Sequence, residues 1–226
     1  MQIYIGNKNY SSWSMRPWVL MTQADIAFDE VMIPFDGMEE DSPFRVALAK
    51  ISPAGRVPVL VDDGLTVWDT LAIAEYLAEK FPQHTLWPAD GVSRARARSI
   101  CAEMHAGFGA LRNHFGMNIE AALPEIGAKV LREQPQVRDD VARIVQMWTE
   151  LLGSHGGPLL FGHFTIADAF FAPVVMRFLT YAVPVPAAIE AYMARLLALP
   201  AVAAWRNAAL AEQTFVPFDE PYRTQR

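Results

Sequence analysis

Residues 51–77 read ISPAGRVPVLVDDGLTVWDTLAIAEYL, and this stretch decides the fold of the chain. Two apolar runs, Val57–Val61 and Leu65–Trp68, flank the turn signal Asp62-Asp63-Gly64, and this pattern predicts a β-hairpin. Pro58 has no N–H to donate to a sheet, so we expect it at the start or edge of the first strand. Most X–Pro bonds in folded proteins are trans, so the residues alone do not predict a cis bond before Pro58.

Asp69 and Thr70 open the periodic apolar segment that ends this stretch, and the period predicts a helix. A helix start has unpaired N–H groups and a partial positive charge, and both favour a carboxylate. A carboxylate side chain beside them could hold an ammonium, so the pair suits the zwitterionic end of an amino acid. The alternative is that Asp69 is only the N-cap of the helix, because aspartate is a preferred capping residue.

A second candidate site lies near the N-terminus, where the strand candidate Gln2–Ile5 leads through the serine-rich loop 10–14 into a helix. Hydroxyl groups at a helix start suit an anion. The alternative is an N-cap serine with spare neighbours, since serine is a preferred capping residue. We expect Pro17 in the first turn of this helix, where its missing N–H costs little.

Composition shifts from mixed to helix-forming near residue 90, which predicts two domains. Residues 1–82 predict the element order β-α-β-α-β-β-α that a thioredoxin-like domain requires, with a strand at 29–34 and a short helix that Ser42 caps. A cluster of Pro and Gly predicts a linker at 83–91. We expect an all-helical domain at 92–226.

The second half predicts several helices separated by proline and glycine. The predicted helices span 93–115, 137–154, 166–181, 186–199 and 201–211. Residues 116–135 are predicted to be irregular, because prolines and a glycine interrupt them. Residues 165–168 have the form of a capping box, so we assign Asp168 a structural role. The helix at 166–181 is apolar all round and is expected to be buried, and the tail after Phe215 is expected to wrap the surface.

Composition restricts the class of protein. The chain is 52% apolar and 19% charged, which is typical of a well-packed globular protein. A net charge of −6 without a basic run argues against nucleic acid as a partner. The single cysteine, Cys101, excludes an intrachain disulfide and fits a reducing cytoplasm. The histidines lack metal-ligand spacing, so no metal is predicted. No signal peptide or transmembrane run is evident, so we expect a cytoplasmic protein without a membrane partner.

Three motifs resemble the glutathione S-transferase family. Ser52–Leu60 is similar to that family's N-P-x-G-K-V-P-x-L segment, and Asp69–Ile73 is similar to E-S-x-A-I, with Asp for Glu and Thr for Ser. Ser11–Arg16 is similar to the S-S-C-S-x-R segment of the zeta class, the maleylacetoacetate isomerase-like transferases. Trp13 stands where that segment has cysteine, which counts against isomerase chemistry. The resemblance implies an α/β thioredoxin-like N-terminal domain followed by an all-α C-terminal domain, the glutathione transferase fold.

The resemblance also implies that glutathione binds to the N-terminal domain as a co-substrate. The loop after the first strand would carry the hydroxyl that faces the glutathione sulfur. Ser11 is the first candidate for this hydroxyl, followed by Ser12 and Ser14, and Tyr10 is an outside candidate. The positive charge of Arg16 would either hold this loop or favour the thiolate; the alternative is an ordinary arginine on the helix surface or in a salt bridge.

The same resemblance assigns the rest of glutathione. Val57-Pro58, with a cis bond, would pair with the cysteinyl backbone, and Asp69 and Thr70 would hold the γ-glutamyl end. Arg56 or Lys50 would meet the glycine carboxylate, which the planar fork of an arginine fits.

The second-substrate pocket is expected between the domains, where His105, Phe108 and Arg112 are candidate wall residues; an aromatic residue at helical spacing is more often core. The implied function is that of a glutathione S-transferase in detoxification, in which the thiolate attacks a hydrophobic electrophilic small molecule. The alternatives are a glutathione-dependent isomerase or dehalogenase on the same fold, or a non-catalytic glutathione-binding module. The family also implies a homodimer.

Overall fold

The computed structural model describes residues 1–37 and 39–226, and its N-terminal half is built on a four-stranded sheet. The strands are β1 Gln2–Ile5, β2 Asp29–Met32, β3 Val59–Asp62 and β4 Leu65–Trp68. They lie in the order β2-β1-β3-β4, with β2 parallel to β1 and the other neighbours antiparallel. The helices between them are α1 Ser12–Gln23, α2 Pro43–Ala49 and α3 Thr70–Lys80. The predicted thioredoxin-like element order is confirmed.

The predicted hairpin is formed by β3 and β4. Its turn, Asp63-Gly64, has φ values of 47° and 84°, so both central residues are left-handed, as a tight two-residue hairpin turn requires. At the open end, Val59 pairs with Trp68. Val57, which precedes β3, and Asp69, which follows β4, therefore lie at the same end of the hairpin.

The C-terminal half is helical, as predicted, except that two helices replace the single helix predicted at 93–115. Its helices are α4 Gly91–Ala106, α5 Gly109–His114, α6 Pro124–Glu133, α7 Pro135–His155, α8 Ile166–Thr180, α9 Ala187–Leu197 and α10 Pro200–Glu212. Short 3-10 turns lie at Pro82–His84 and Pro217–Asp219. The expected domain limits, 1–82 and 92–226, stay a prediction.

The prediction of an irregular segment at 116–135 is wrong, because α6 lies within it. Pro124 and Pro135 each occupy the first turn of a helix, where proline is well tolerated. They therefore begin α6 and α7 instead of interrupting a helix. Gly127 allows α6 to pack closely, because a Cβ at this position would lie 1.8 Å from the Tyr181 carbonyl oxygen.

Helix α8 is the centre of the core and packs against α1, α4 and α9. The predicted capping box is present: the Thr165 N–H donates to Asp168 Oδ2 at 3.0 Å, and the reciprocal bond is also formed. The helix is buried, as predicted, but it is not apolar all round. Asp168 and Arg177 are both buried within it.

Two further predictions need correction. Pro17 lies in the second turn of α1 because the helix begins at Ser12, so the carbonyl of Trp13 loses its usual helical partner. The tail does more than wrap the surface. Val216 and Glu220 are only 1% and 5% exposed, because the tail packs between the two halves of the molecule.

Within the described residues, no single helix is long and apolar enough to span a membrane. Helices α9 and α10, which are bent relative to each other, meet these two criteria only when they are taken together. No group of three or more His, Cys, Asp or Glu side chains that could hold a metal ion occurs at 1–37 or 39–226.

Candidate active site

Two adjoining cavities lie in the cleft between the N-terminal sheet domain and the helices. The larger, about 610 Å³, is lined by Tyr10, Ser11, Ser12, Trp13, Phe35, Phe44, Arg45, Gly55, Arg56, Val57, Arg112, Gly116, Met117, Arg177 and Asp219. The smaller, about 260 Å³, is lined by Trp13, Ala54, Arg56, Val57, Pro58, Trp68, Asp69 and His105. Trp13, Arg56 and Val57 border both cavities, so an extended ligand can pass from one to the other along them.

The serine loop forms one wall of the larger cavity. Ser11 occupies the N-cap position of α1, but its side chain makes no capping hydrogen bond. Its hydroxyl donates instead to Ser14 Oγ at 2.7 Å, and Ser14 Oγ also accepts from the Gly6 N–H at 3.2 Å. Ser14 is fully buried, so the structure does not bring it into the cleft. Ser12 Oγ lines the cavity and accepts from Arg177 Nη2 at 3.0 Å.

Tyr10 borders the larger cavity, but its hydroxyl group is engaged by the C-terminal tail. The phenol lies 2.6 Å from Glu220 Oε1 and 3.1 Å from the carbonyl oxygen of Thr214. Burial, together with the hydrogen bond to Glu220, raises the pKa of Tyr10 to about 12. These contacts leave the serine hydroxyls as the better placed candidates for activating a thiol.

Val57 and Pro58 lie where the two cavities meet. The Val57–Pro58 bond is cis, as the resemblance implied. Within the described chain, the Val57 N–H and C=O make no hydrogen bond to another backbone group. They are therefore free to pair with an extended peptide lying in the cleft.

Asp69 combines the two roles that its position suggested. Oδ1 caps α3 by accepting from the Leu71 N–H at 2.8 Å, whereas Oδ2 lies 3.1 Å from His105 Nε2. The residue has φ +74°, a region that non-glycine residues rarely adopt and that occurs often at binding sites. Thr70 is buried, with Oγ1 3.5 Å from His105 Nδ1. The carboxylate is thus aimed into the smaller cavity by both its backbone and its partner.

The structure places His105 differently from the expectation. Its ring borders the smaller cavity, beside Asp69, and not the larger cavity predicted for a second substrate. The reason is that α4 packs against α3, which brings position 105 next to the start of α3. Burial lowers the pKa of His105, and Asp69 opposes this shift only partly. A neutral imidazole can donate its Nε2–H to the Asp69 carboxylate.

Three basic residues near the cleft differ in whether they border the cavities. Arg56 is exposed and borders both cavities, as its predicted role requires. Arg45, which the sequence did not single out, borders the larger cavity and donates to the Gly55 carbonyl at 3.1 Å. Lys50 is exposed at the end of α2 and lies outside the lining of both cavities. The structure therefore favours the two arginines over Lys50 for a ligand carboxylate.

Two arginines with lowered pKa values form one end of the larger cavity. Burial lowers the pKa of Arg177 to about 10, and its Nη1 donates to the Phe115 carbonyl. Burial also lowers the pKa of Arg112, whose Nη1 donates to the His105 carbonyl at 3.1 Å. Both keep their positive charge at neutral pH. Phe108, the third predicted wall residue, is instead buried in the main core and does not line this cavity.

Arg16 lies directly behind this wall. It is 2% exposed, and its guanidinium lies 4.2 Å from the Trp13 ring centroid and 4.9 Å from that of Phe170. Its Nε and Nη1 have no hydrogen-bond partner in the part of the chain that the structure describes. Burial, together with the nearby charge of Arg177, lowers the pKa of Arg16 to about 9. An uncompensated positive charge is therefore held beneath the serine loop.

Three residues of the cleft were not predicted from the sequence: Arg45, Arg177 and Asp219. For Arg177 a signal existed, because a charged residue inside an otherwise apolar helix is rarely buried without a role. Arg45 lies in a short apolar segment and Asp219 in the C-terminal tail, and no motif at either position indicates a cleft. Only the folding of α2 and the tail against the cleft brings them to it.

Two family profiles match most of the chain. Residues 10–80 match the profile described as "Glutathione S-transferase, N-terminal domain", and residues 94–208 match "Glutathione S-transferase, C-terminal domain".

Two curated relatives share part of the sequence. "Probable maleylacetoacetate isomerase" of Caenorhabditis elegans is 34% identical over 111 residues, which cover 49% of this chain and 49% of the relative. "Maleylacetoacetate isomerase" of Pseudomonas aeruginosa is 33% identical over 120 residues, which cover 53% of this chain and 55% of the relative. The chain spans about half the length of these curated relatives.

A solved structure shares the fold over nearly the whole chain. It is a glutathione transferase homolog from Burkholderia with bound glutathione, and it superposes with a TM-score of 0.69 at 24% identity. The superposition covers 92% of this chain and 97% of that protein.

Proposed function

The chain belongs to the glutathione S-transferase family, and we propose that it activates the thiol of glutathione through Ser11 and transfers it to an electrophile. One observation carries this proposal. Val57 borders both cavities, and Ser11 lines one of them and Asp69 the other. A tripeptide that pairs with Val57 would place its sulfur near Ser11 and its γ-glutamyl end near Asp69.

Ser14 would act as a positioning residue for the thiol-activating hydroxyl. Each serine hydroxyl donates one hydrogen bond and accepts two, and rotation about its C–O bond selects the direction. Because Ser14 Oγ already accepts from the Gly6 N–H, its own proton is available to Ser11 Oγ. If the Ser11–Ser14 bond reverses in this way, the Ser11 proton becomes free to donate to the thiolate.

Lowering the pKa of the glutathione thiol should increase the fraction of reactive thiolate. A free thiol has a pKa of about 8.5, so about 3% is thiolate at pH 7, whereas a pKa of about 6.5 gives about 76%. A hydrogen bond from Ser11 and the partial positive charge at the start of α1 both favour the thiolate. The buried charge of Arg16 acts in the same direction. Ser11 remains protonated and serves only as a donor.

The two ends of glutathione would be held by opposite charges. Asp69, oriented by His105, would accept the γ-glutamyl ammonium, and the helix start at Thr70 would face its carboxylate. Arg56 and Arg45 would meet the glycine carboxylate.

A glutathione-dependent isomerase is the second candidate, and the charge of the larger cavity favours it. Among the described lining residues, Arg45, Arg56, Arg112 and Arg177 outnumber the single carboxylate of Asp219. An acidic unsaturated substrate would suit this surface, and both curated relatives carry the name maleylacetoacetate isomerase. In that reaction the thiolate adds to a cis double bond, the new single bond rotates, and elimination returns the thiolate and the trans product.

Binding and turnover separate these functions. We expect the protein to be retained on immobilised glutathione and to conjugate glutathione to chlorodinitrobenzene with release of chloride. Isomerisation of a maleyl-type keto acid without conjugation would favour the isomerase, and halide release from a haloacid would favour a dehalogenase. Retention without any turnover would favour a non-catalytic binding module, and no retention would contradict all of these functions.

We also propose that the protein is a cytoplasmic homodimer that acts in detoxification. The single cysteine suits a reducing compartment. A dimer interface along 72–81 and 92–115 would cover Val92, which is 80% exposed. Light scattering that detects only monomer would contradict the dimer.

A further inference from the structure

Asp219 is the one acidic side chain among the described residues that line the larger cavity. It ends the 3-10 turn Pro217–Asp219, and no hydrogen bond or ion pair engages its carboxylate within the described residues. Burial raises its pKa to about 6, and the charge of Arg177 opposes this shift. The two groups therefore face the same space without a direct ion pair.

The turn that carries Asp219 is fixed by its neighbours. Glu220 Oε1 accepts from the Tyr10 hydroxyl at 2.6 Å and from Asn118 Nδ2 at 2.9 Å, and Arg223 pairs with the same carboxylate. The ring of Phe218 lies 6.4 Å from the ring of Phe35, across the cleft. These contacts hold the tail against both halves of the protein, so Asp219 has a fixed position in the cavity wall.

We propose that Asp219 determines which charge the second substrate may carry, by acting as an internal counter-ion to Arg177. This inference rests on the proposed function, in which the larger cavity takes the electrophile. A ligand carboxylate that reaches Arg177 must approach Asp219, and the two negative charges repel each other. A neutral ligand meets no such cost. Asp219 therefore limits the preference for anions that the arginines would otherwise impose.

The test uses a matched pair of probes, neutral chlorodinitrobenzene and its anionic analogue chlorodinitrobenzoate, on the full-length protein with glutathione. Asp219→Asn keeps the size of the side chain and removes its charge. We expect KM for the anionic probe to fall about tenfold relative to the neutral probe, equivalent to about 1.4 kcal/mol. Asp219→Ala should shift the ratio in the same direction. Asp139→Asn is the control, because Asp139 is exposed on α7, away from the cavity.

An unchanged ratio in both Asp219 variants, or the same shift in Asp139→Asn, would overturn the inference and leave the proposed function intact. Calorimetry with the unreactive analogues dinitrobenzene and dinitrobenzoate provides a readout that needs no turnover. If the wild type does not catalyse conjugation but Asp219→Asn still tightens dinitrobenzoate binding selectively, the inference holds and the proposed function fails. If the wild type binds neither analogue, the inference is overturned.

Discussion

Replacing Arg16 with methionine should stabilise the fold and weaken thiol activation at the same time. The guanidinium is buried between two aromatic rings, with two nitrogens unpaired in the described structure. Its pKa falls from 12.5 to about 9, a change of about 3.5, which at 1.36 kcal/mol per pKa unit corresponds to about 5 kcal/mol. Below pH 9 both the folded and the unfolded chain keep this charge, so the full cost is present at neutral pH.

The net gain in stability should be smaller than this cost. Methionine fills a similar volume, but the contacts of the charge with Trp13 and Phe170 are lost, at about 1–2 kcal/mol together. Exchanging buried charges for apolar groups is often neutral or stabilising by about 1–4 kcal/mol. We therefore expect Arg16→Met to raise the free energy of unfolding by about 1–3 kcal/mol.

The same substitution should raise the thiol pKa. For an assumed separation of about 10 Å between the guanidinium and the glutathione sulfur, and an effective dielectric constant of about 20, Coulomb's law gives about 1.7 kcal/mol. This corresponds to about 1.2 pKa units. At neutral pH the thiolate fraction, and with it the conjugation rate, should fall several-fold.

Urea unfolding without glutathione measures the first effect, and titration of the bound thiolate measures the second. Arg96→Met is the control, because Arg96 is an exposed partner of Glu150 and should change either quantity very little. A loss of more than about 2 kcal/mol of stability with an unchanged thiol pKa would show instead that Arg16 is an ordinary structural residue.

Three further substitutions test the packing of two helices and the protonation of a buried carboxylate. Gly127→Ala should destabilise by at least about 3 kcal/mol in urea unfolding, because the new Cβ would clash with the Tyr181 carbonyl. Gly153→Ala, on the exposed face of α7 with nothing within 4 Å, should instead stabilise by about 0.5 kcal/mol. Asp168 has its pKa raised from 3.8 to about 6 by burial, so the folded state binds its proton more tightly. Relative to Asp168→Asn, wild-type stability should therefore fall by about 3 kcal/mol as pH rises from about 3 to about 7, and a flat difference would contradict this.

The elements that the sequence predicted best are those set by local chemistry. The turn Asp63-Gly64 needs left-handed backbone that this pair readily adopts, so the hairpin and its register follow. The capping box of Thr165 and Asp168 is likewise a contact within four residues. Asp69 was predicted either as a cap or as a ligand, and its two oxygens point in two directions, one to α3 and one to His105.

The predictions that needed correction depend on distant parts of the chain. In the sequence, a proline that begins a helix looks the same as a proline that ends one, and only packing of the flanking residues distinguishes them. For this reason α6 was not predicted. His105 lies on a helix, as expected, but the packing of α4 on α3 decides which cavity it borders. Asp219 comes to the cleft through Glu220, which contacts Tyr10 more than 200 residues earlier in the chain. The hydrophobic periodicity of a sequence does not predict a contact between residues so far apart in the chain.

The central claim is that Ser11 lowers the pKa of the glutathione thiol. The most direct measurement is a pH titration of the ultraviolet absorbance of bound glutathione thiolate, in the wild type and in Ser11→Ala, Ser12→Ala and Ser14→Ala. We expect a wild-type thiol pKa of about 6.5, a rise of at least about one unit in Ser11→Ala, and a smaller rise in Ser14→Ala. Ser12→Ala should stay close to the wild type. A thiol pKa near about 8.5 in the wild type with binding intact, or equal values in all three variants, would contradict the account.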